Sequence, residues 1–140
     1  MFFMSNTKRI FICSRLRGRN QQQLDHHIKQ ARQFAAYTVK ENLGAPFVPH
    51  LLYPQFLDDT DDFQRRMGIE AGLAYLNVCD AIYAFLDEDG FVSDGMRHEI
   101  QYASDHGVPI HVFQLNQGRL QVKDSLLASW KNDWLDVRPL

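Results

Sequence analysis

Short apolar runs and helix-spaced stretches take turns along this chain, and that alternation leaves few folds open. Ile10-Phe11-Ile12-Cys13, Ala45-Pro46-Phe47-Val48, Ala81-Ile82-Tyr83-Ala84-Phe85-Leu86 and Ile110-His111-Val112-Phe113 read as strands. Over residues 20–42, Leu24, Ile28, Ala31, Ala35 and Val39 recur at three- and four-residue steps, which makes one apolar helix face, and Gly44 closes it. Helical spacing returns over 63–77 through Met67, Leu73 and Leu76, and again over 94–106 ahead of Gly107-Val108-Pro109. Strands separated by helices pair in parallel through right-handed crossovers. The expected fold is therefore α/β: a doubly wound, Rossmann-like or flavodoxin-like, mostly parallel sheet of four to five strands with helices on both faces. The near-continuous apolar strands suit burial on both sides. A length of 140 residues predicts a single domain over 1–140. Residues 49–62 hold Pro49, Pro54 and the acidic residues Asp58, Asp59, Asp61 and Asp62, and read as a long functional loop or a broken helix. Past Gln114 the pattern predicts a short helix over 124–130, with Trp130 and Trp134 docking on the body or on a second subunit.

A formal net charge of −2 gives no basic footprint, so neither nucleic acid nor an anionic membrane surface is an expected partner. No apolar run approaches the ~20 residues of a membrane span. Cys13 and Cys79 form no CxxC pair and read as core thiols, which fits a cytoplasmic location. His26 and His27 are neighbours on a helix, point different ways, and read as surface residues. The acidic cluster shows no spacing that demands a metal, and no GxSxG, GxxxxGK[ST], HExxH or GxGxxG signature occurs.

In such sheets ligands bind beyond the carboxyl ends of the strands. Three loops reach that edge: 14–20, 49–62 and 87–95. In the last, Ser93-Asp94-Gly95-Met96 leads into a helix whose first amides favour an anion. Gly95 allows close approach, and Glu99 stands one turn further along the same face. A carboxylate there would repel a phosphate lying on it, but it suits a longer ligand whose phosphate takes the amides while Glu99 faces a carbon. The competing reading makes Ser93 a simple cap and Glu99 a solvated residue. In the first loop, Ser14 is followed by Arg15, Arg17 and Arg19 beside Gly18, planar forks matched to phosphate or carboxylate. The second loop offers His50, Tyr53, Gln55, Asp58 and Asp59 for stacking on, and hydrogen bonding to, a planar base.

The segment Ser93-Asp94-Gly95-Met96-Arg97-His98-Glu99, an SxGxxxE pattern, resembles the active-site segment of the nucleoside 2-deoxyribosyltransferase superfamily, which includes the 2'-deoxynucleoside 5'-monophosphate N-glycosidases. Phe11-Ile12-Cys13-Ser14 followed by Arg17-Gly18 is similar to the first strand and phosphate-proximal loop of the glycosidases. Pro49-His50-Leu51-Leu52-Tyr53-Pro54-Gln55-Phe56-Leu57-Asp58-Asp59, with Arg66, Gly68 and Gly72, resembles a DUF4406/DUF7768-like branch. The resemblance implies that Glu99 is a nucleophile toward the anomeric carbon of a (deoxy)ribose. It implies that Ser93, Gly95 and the Met96 amide hold a 5'-phosphate, with Arg17 and Gly18 at the phosphate or sugar. It implies no cofactor, and association as a homodimer or larger homo-oligomer. Asp80, placed before the third strand as in the family, joins Asp58 and Asp59 as a candidate acid for the leaving base, and Tyr53 is a candidate to replace a family tyrosine missing from the first loop. The expected function is an N-glycosidic-bond hydrolase or glycosyltransferase acting on a nucleotide or nucleoside. The alternatives are a non-catalytic nucleotide-binding or sensing module, and an interaction protein with a vestigial pocket.

Overall fold

The computed structural model describes residues 7–137, and 1–6 and 138–140 lie outside the described residues. The elements run β1 (Arg9–Cys13), α1 (Gln21–Lys40), β2 (Ala45–Phe47), α2 (Pro49–Leu52), a 3-10 turn (Tyr53–Gln55), α3 (Asp62–Leu76), β3 (Ala81–Leu86), α4 (Asp94–Asp105), β4 (Ile110–Asn116), β5 (Arg119–Val122) and α5 (Leu126–Asp133). The sheet order is β2-β1-β3-β4-β5, with β5 alone antiparallel. The chain therefore winds outward from β1 in both directions, and the order reverses between β1 and β3. A crevice opens at such a switch point, beyond the carboxyl ends of those strands.

Successive strand residues feed opposite layers. Ile10, Ile12, Tyr83, Phe85 and Phe113 pack with Phe34 of α1 on one face. Phe11, Cys13, Ile82, Ala84 and Leu86 pack with α3, α4 and α5 on the other. Every residue of β3 is buried, as a central parallel strand requires.

The apolar stripe predicted for α1 is turned by one residue. The buried positions are His27, Gln30, Ala31, Phe34 and Thr38, while Val39 is exposed. The Phe34 ring sets this phase by stacking on Phe85 with centroids 4.6 Å apart. The polar members of the stripe are hydrogen bonded. His27 Nδ1 lies 2.8 Å from the Leu16 carbonyl, Gln30 Nε2 donates to Asp87, and the Thr38 hydroxyl donates to the Phe34 carbonyl. His27 is thus a buried residue, not a surface one. On α3 the buried residues are Gly72, Leu73 and Leu76, while Phe63 and Met67 are exposed.

The 49–62 segment is a broken helix. Pro49 sits at the start of α2, where its missing N–H costs nothing. Pro54 follows in the 3-10 turn. A tight turn at Gln117 and Gly118, both at positive φ (52° and 78°), folds β5 back on β4. Trp130 is buried in the α4 layer and Trp134 packs beside it, with the Arg97 guanidinium over the Trp134 ring, so both indoles dock on the body.

The phase of α1 is open to measurement. Phe34→Ala is expected to cost about 3–5 kcal/mol of unfolding free energy, against less than about 0.5 kcal/mol for Val39→Ala. Urea denaturation monitored by circular dichroism measures both, and equal losses would contradict the observed phase.

Candidate active site

Glu99 lies on the inner face of α4, which packs on β1 and β3 at the switch point. Ser93 caps this helix, and its hydroxyl accepts the Met96 amide at 3.2 Å. Glu99, six residues beyond that cap, is only 5% exposed. Its Oε1 has no hydrogen-bond partner among the described residues, and neither has the hydroxyl of Ser14, itself 4% exposed. Both residues line one cleft of about 320 Å³, together with Leu16, Arg17, His50, Asp59, Arg65, Phe91 and the 93–96 segment. Native proteins rarely leave buried polar atoms unpaired, and two orphans in one cleft mark a place shaped for polar groups from outside the chain.

Burial pushes the Glu99 carboxyl up to about 8, partly opposed by a hydrogen bond from the Cys13 thiol beneath it. The thiol is itself raised, first by burial and then by the neighbouring Glu99. Burial is the larger cause in each case, so a neutral acid is the resting form at neutral pH.

Two histidines hold the loop after β1. His50 Nε2 lies 2.6 Å from the Ser14 carbonyl, and His27 Nδ1 does the same for Leu16 two residues on. A carbonyl only accepts, so each of these nitrogens carries the proton. Burial holds His50 below its ordinary value, with the Ser14 carbonyl partly offsetting it. His50 is thus both a wall of the cleft and a brace that presents Ser14.

A second brace is ionic. Arg17 reaches the Asp59 carbonyl at 3.0 Å and the Asp59 and Asp62 carboxylates at 3.4 Å each, while Arg65 Nε lies 4.0 Å from Asp59. The far end of Arg65 overhangs the start of α4, where a Cβ on Gly95 would stand 3.7 Å from its Nη2. Arg65 thus brings a charge to the helix start from α3. The residue types of the loops gave no hint of it. The usable signal was helical spacing, since Arg65 shares a stripe with Ile69 and the buried Gly72 and Leu76. Leu16, Ile69 and Phe91 were likewise not foreseen at the cleft.

The structure brings Ser14, Arg17, His50, Asp59, Ser93, Asp94, Gly95, Met96 and Glu99 together, with Tyr53 on an adjoining recess that Glu99 also borders. It sets the other candidates apart. Arg15 pairs with Asp89 at 3.1 Å and lies over the Phe91 ring. Gly18 packs where any Cβ would run into Gln23. Gln55 donates to the Leu51 carbonyl on the exposed side of the turn. Asp58 accepts from the amide and hydroxyl of Thr60, which hold it below the usual carboxylate range. Asp80 is corrected most clearly. It precedes β3, bonds the Arg9 amide and side chain at the amino edge of the sheet, and is separated from the cleft by a six-residue strand, about 20 Å. The Met96 amide is also taken, because Ser93 already accepts it. The amides left without helical partners are those of Asp94 and Gly95.

Among the described residues no cluster of His, Cys, Asp and Glu side chains has the arrangement of a metal site, and no helix is long and apolar enough to cross a membrane. No curated protein matches the chain. A solved 2-deoxyribosyltransferase from the psychrotolerant bacterium Bacillus psychrosaccharolyticus has a similar fold, with a TM-score of 0.56 and 17% identity over 81% of this chain and 77% of that one. Residues 8–113, from the start of β1 through most of β4 and including every residue of the cleft, match the family model described as a domain of unknown function, DUF7768. The chain belongs to the DUF7768 family, built on the α/β fold that the 2-deoxyribosyltransferase shares.

Proposed function

We propose that this protein breaks the N-glycosidic bond of a nucleotide or nucleoside, with Glu99 as the nucleophile and water or a second base as the acceptor. The observation that carries the reading is the unpartnered, buried Oε1 of Glu99, in one cleft with the anion-favouring start of its own helix. From Gly95 to Glu99 is one helical turn, a rise of about 6 Å, which is the scale of a single pentose. A 5'-phosphate at the Asp94 and Gly95 amides, under Arg65, leaves the anomeric carbon facing Glu99. The ionised carboxylate attacks that carbon, and the carbon–nitrogen pair of electrons leaves with the base. The glycosyl ester is then opened by water or by another base, and Glu99 is restored. The transition state carries positive charge on the sugar, and a carboxylate in a low-dielectric wall stabilises that charge as well as attacking. Of the three aspartates considered as acids for the leaving base, Asp59 alone lines the cleft. Ser14, held by the His50 brace, offers its free hydroxyl to the sugar.

A non-catalytic sensing module is the second reading, favoured by the neutral resting form of Glu99, which suits hydrogen bonding to a ribose hydroxyl. One experiment separates the two. Incubating the protein with a panel of nucleosides and 5'-monophosphates is expected to release free base, seen by chromatography. Glu99→Gln, which keeps the shape and the hydrogen-bonding capacity, is expected to lower the rate by at least 10³. Acid quench and peptide mass spectrometry are expected to find a pentosyl adduct on the Glu99 peptide. Tight binding without release, unchanged in Glu99→Gln, would favour the sensor.

The nucleophile must be ionised, so kcat/KM is expected to fall as pH drops below about 8, approaching tenfold per unit, in a pH–rate profile. Stability has the opposite sign. The folded value near 8 lies above the ordinary 4.5, so the folded state holds a proton that the unfolded chain releases between those values. Relative to Glu99→Gln, the wild type is expected to lose roughly 1.4 kcal/mol per pH unit across that window. Parallel thermal melts of the two proteins from pH 5 to 8 measure it, and curves that stay parallel would refute the burial of the acid.

A further inference from the structure

Beyond Glu99, the cleft runs into a smaller recess of about 50 Å³ walled by Tyr53, Leu57, Gln64, Gly68 and Ile69, with Glu99 and the paired Asp59 and Arg65 at its border. We infer that this recess receives the departing base, and that it is built for a single ring carrying a carbonyl at its edge, an oxo-pyrimidine of the uracil or thymine type. The inference rests on the glycosidic reading above and assigns the substrate class within it.

Three observations support it. The first is room. About 50 Å³ is far less than the ~150 Å³ of a cavity that takes up benzene, so the recess admits the leading edge of one ring while the rest of the base stays in the open cleft. The walls are mostly apolar, as the faces of a heterocycle require. The second is Gly68. Glycine weakens a helix interior, yet one stands within α3. A Cβ there would lie 3.3 Å from Leu57 Cδ1 and 3.6 Å from Tyr53 Cβ, so the bare α-carbon sets the width of the recess. The third is Gln64. Its Oε1 accepts the Asp58 backbone amide at 2.9 Å. A backbone N–H only donates, which settles which end of the side-chain amide is oxygen. The Nε2 end is left with no hydrogen-bond partner among the described residues and presents donors alone. A ring carbonyl accepts them, whereas the exocyclic amine of cytosine in the same place sets donor against donor. The chemistry favours the same bases. When the glycosidic bond breaks, the electron pair taken by the ring nitrogen spreads onto the ring carbonyls, and a fixed N–H beside one of them stabilises the leaving group.

The test compares kcat/KM for base release from uracil, thymine, cytosine, adenine and guanine nucleosides and 5'-monophosphates. Wild type is expected to favour uracil or thymine at least tenfold over cytosine and over either purine. Gln64→Glu keeps an acceptor for the Asp58 amide but replaces the free donors by an acceptor, and is expected to lower the uracil-to-cytosine ratio at least tenfold. Gly68→Ala, expected to remain folded by circular dichroism, narrows the recess and is expected to cost at least tenfold on the pyrimidine substrates. Purines released as fast as pyrimidines, or a ratio unmoved by Gln64→Glu, would overturn the assignment and leave the glycosidic reading standing. If no substrate releases base, that reading falls and the recess is judged by NMR titration with free uracil, cytosine and adenine. Uracil binding weakened at least tenfold by Gln64→Glu sustains it; absent uracil binding, or binding no tighter than that of the other two bases, rejects it.

Discussion

A carboxyl group held out of water beside an unfilled hydrogen-bonding direction is the constraint around which this molecule is arranged. Moving Glu99 into the layer between α4 and the central strands is unfavourable, and the chain limits the cost by leaving the group protonated and setting the Cys13 thiol against it. A residue kept only for packing would be apolar at this position, as its neighbour Ile100 is. The position of Glu99, at the switch point and in the wall of the cleft, puts that energetic liability where a bound ligand would shift its ionisation. Positive charge developing on a sugar would favour the carboxylate, against the burial that now disfavours it.

The surroundings keep that geometry without rigid covalent links. The loop after β1 has no secondary structure of its own, yet two of its carbonyls are held by histidines from different helices, His27 on α1 and His50 on α2. The 49–62 segment is tied across the cleft by Asp59, which is shared between Arg17 and Arg65. Arg17 is half exposed, and ion pairs of that kind contribute little to stability on their own. Their effect is better described as placement, holding Arg65 over the start of α4 and Arg17 at the cleft ahead of any anion. A phosphate arriving there would compete with Asp59 for the same guanidinium groups, so anion binding and the posture of the 49–62 segment are coupled.

The fold was legible because its elements announce themselves locally. All six residues of β3 are apolar or aromatic with no polar interruption, and Ser93 before Gly95 marks a helix start that the structure reproduces. The phase of α1 was not legible, because its buried stripe contains polar residues: His27 and Gln30, satisfied by Leu16 and Asp87 outside the helix, and Thr38, satisfied by the carbonyl of Phe34 in its own helix. The β5 hairpin was obscured for a related reason: its turn uses Gln117 at positive φ, which a glutamine adopts reluctantly and a sequence pattern does not flag. In the site, motif residues on one local segment came out together. Those chosen by residue type alone divided by which way they face: Tyr53 turns toward the recess, whereas Gln55, two residues on, satisfies its own helix. Asp80 failed on topology, since a residue before a parallel strand and a residue after it stand at opposite edges of the sheet.

Arg65 and Gln64 show why the remainder could not be read in advance. They are neighbours in a helical turn that begins with acidic residues, and in one dimension they look like an ordinary solvated start to α3. In three dimensions both face the cavity. Arg65 reaches the start of α4 and also lines the recess, which Gln64 borders too. Two adjacent side chains on one helix thus present a cation and a neutral amide to a cavity that the buried acid also lines. The proposed nucleotide fits that pairing, with its anionic end under Arg65 and its base beside Gln64, and the pairing arises from the register of α3 against α4, without reference to any motif.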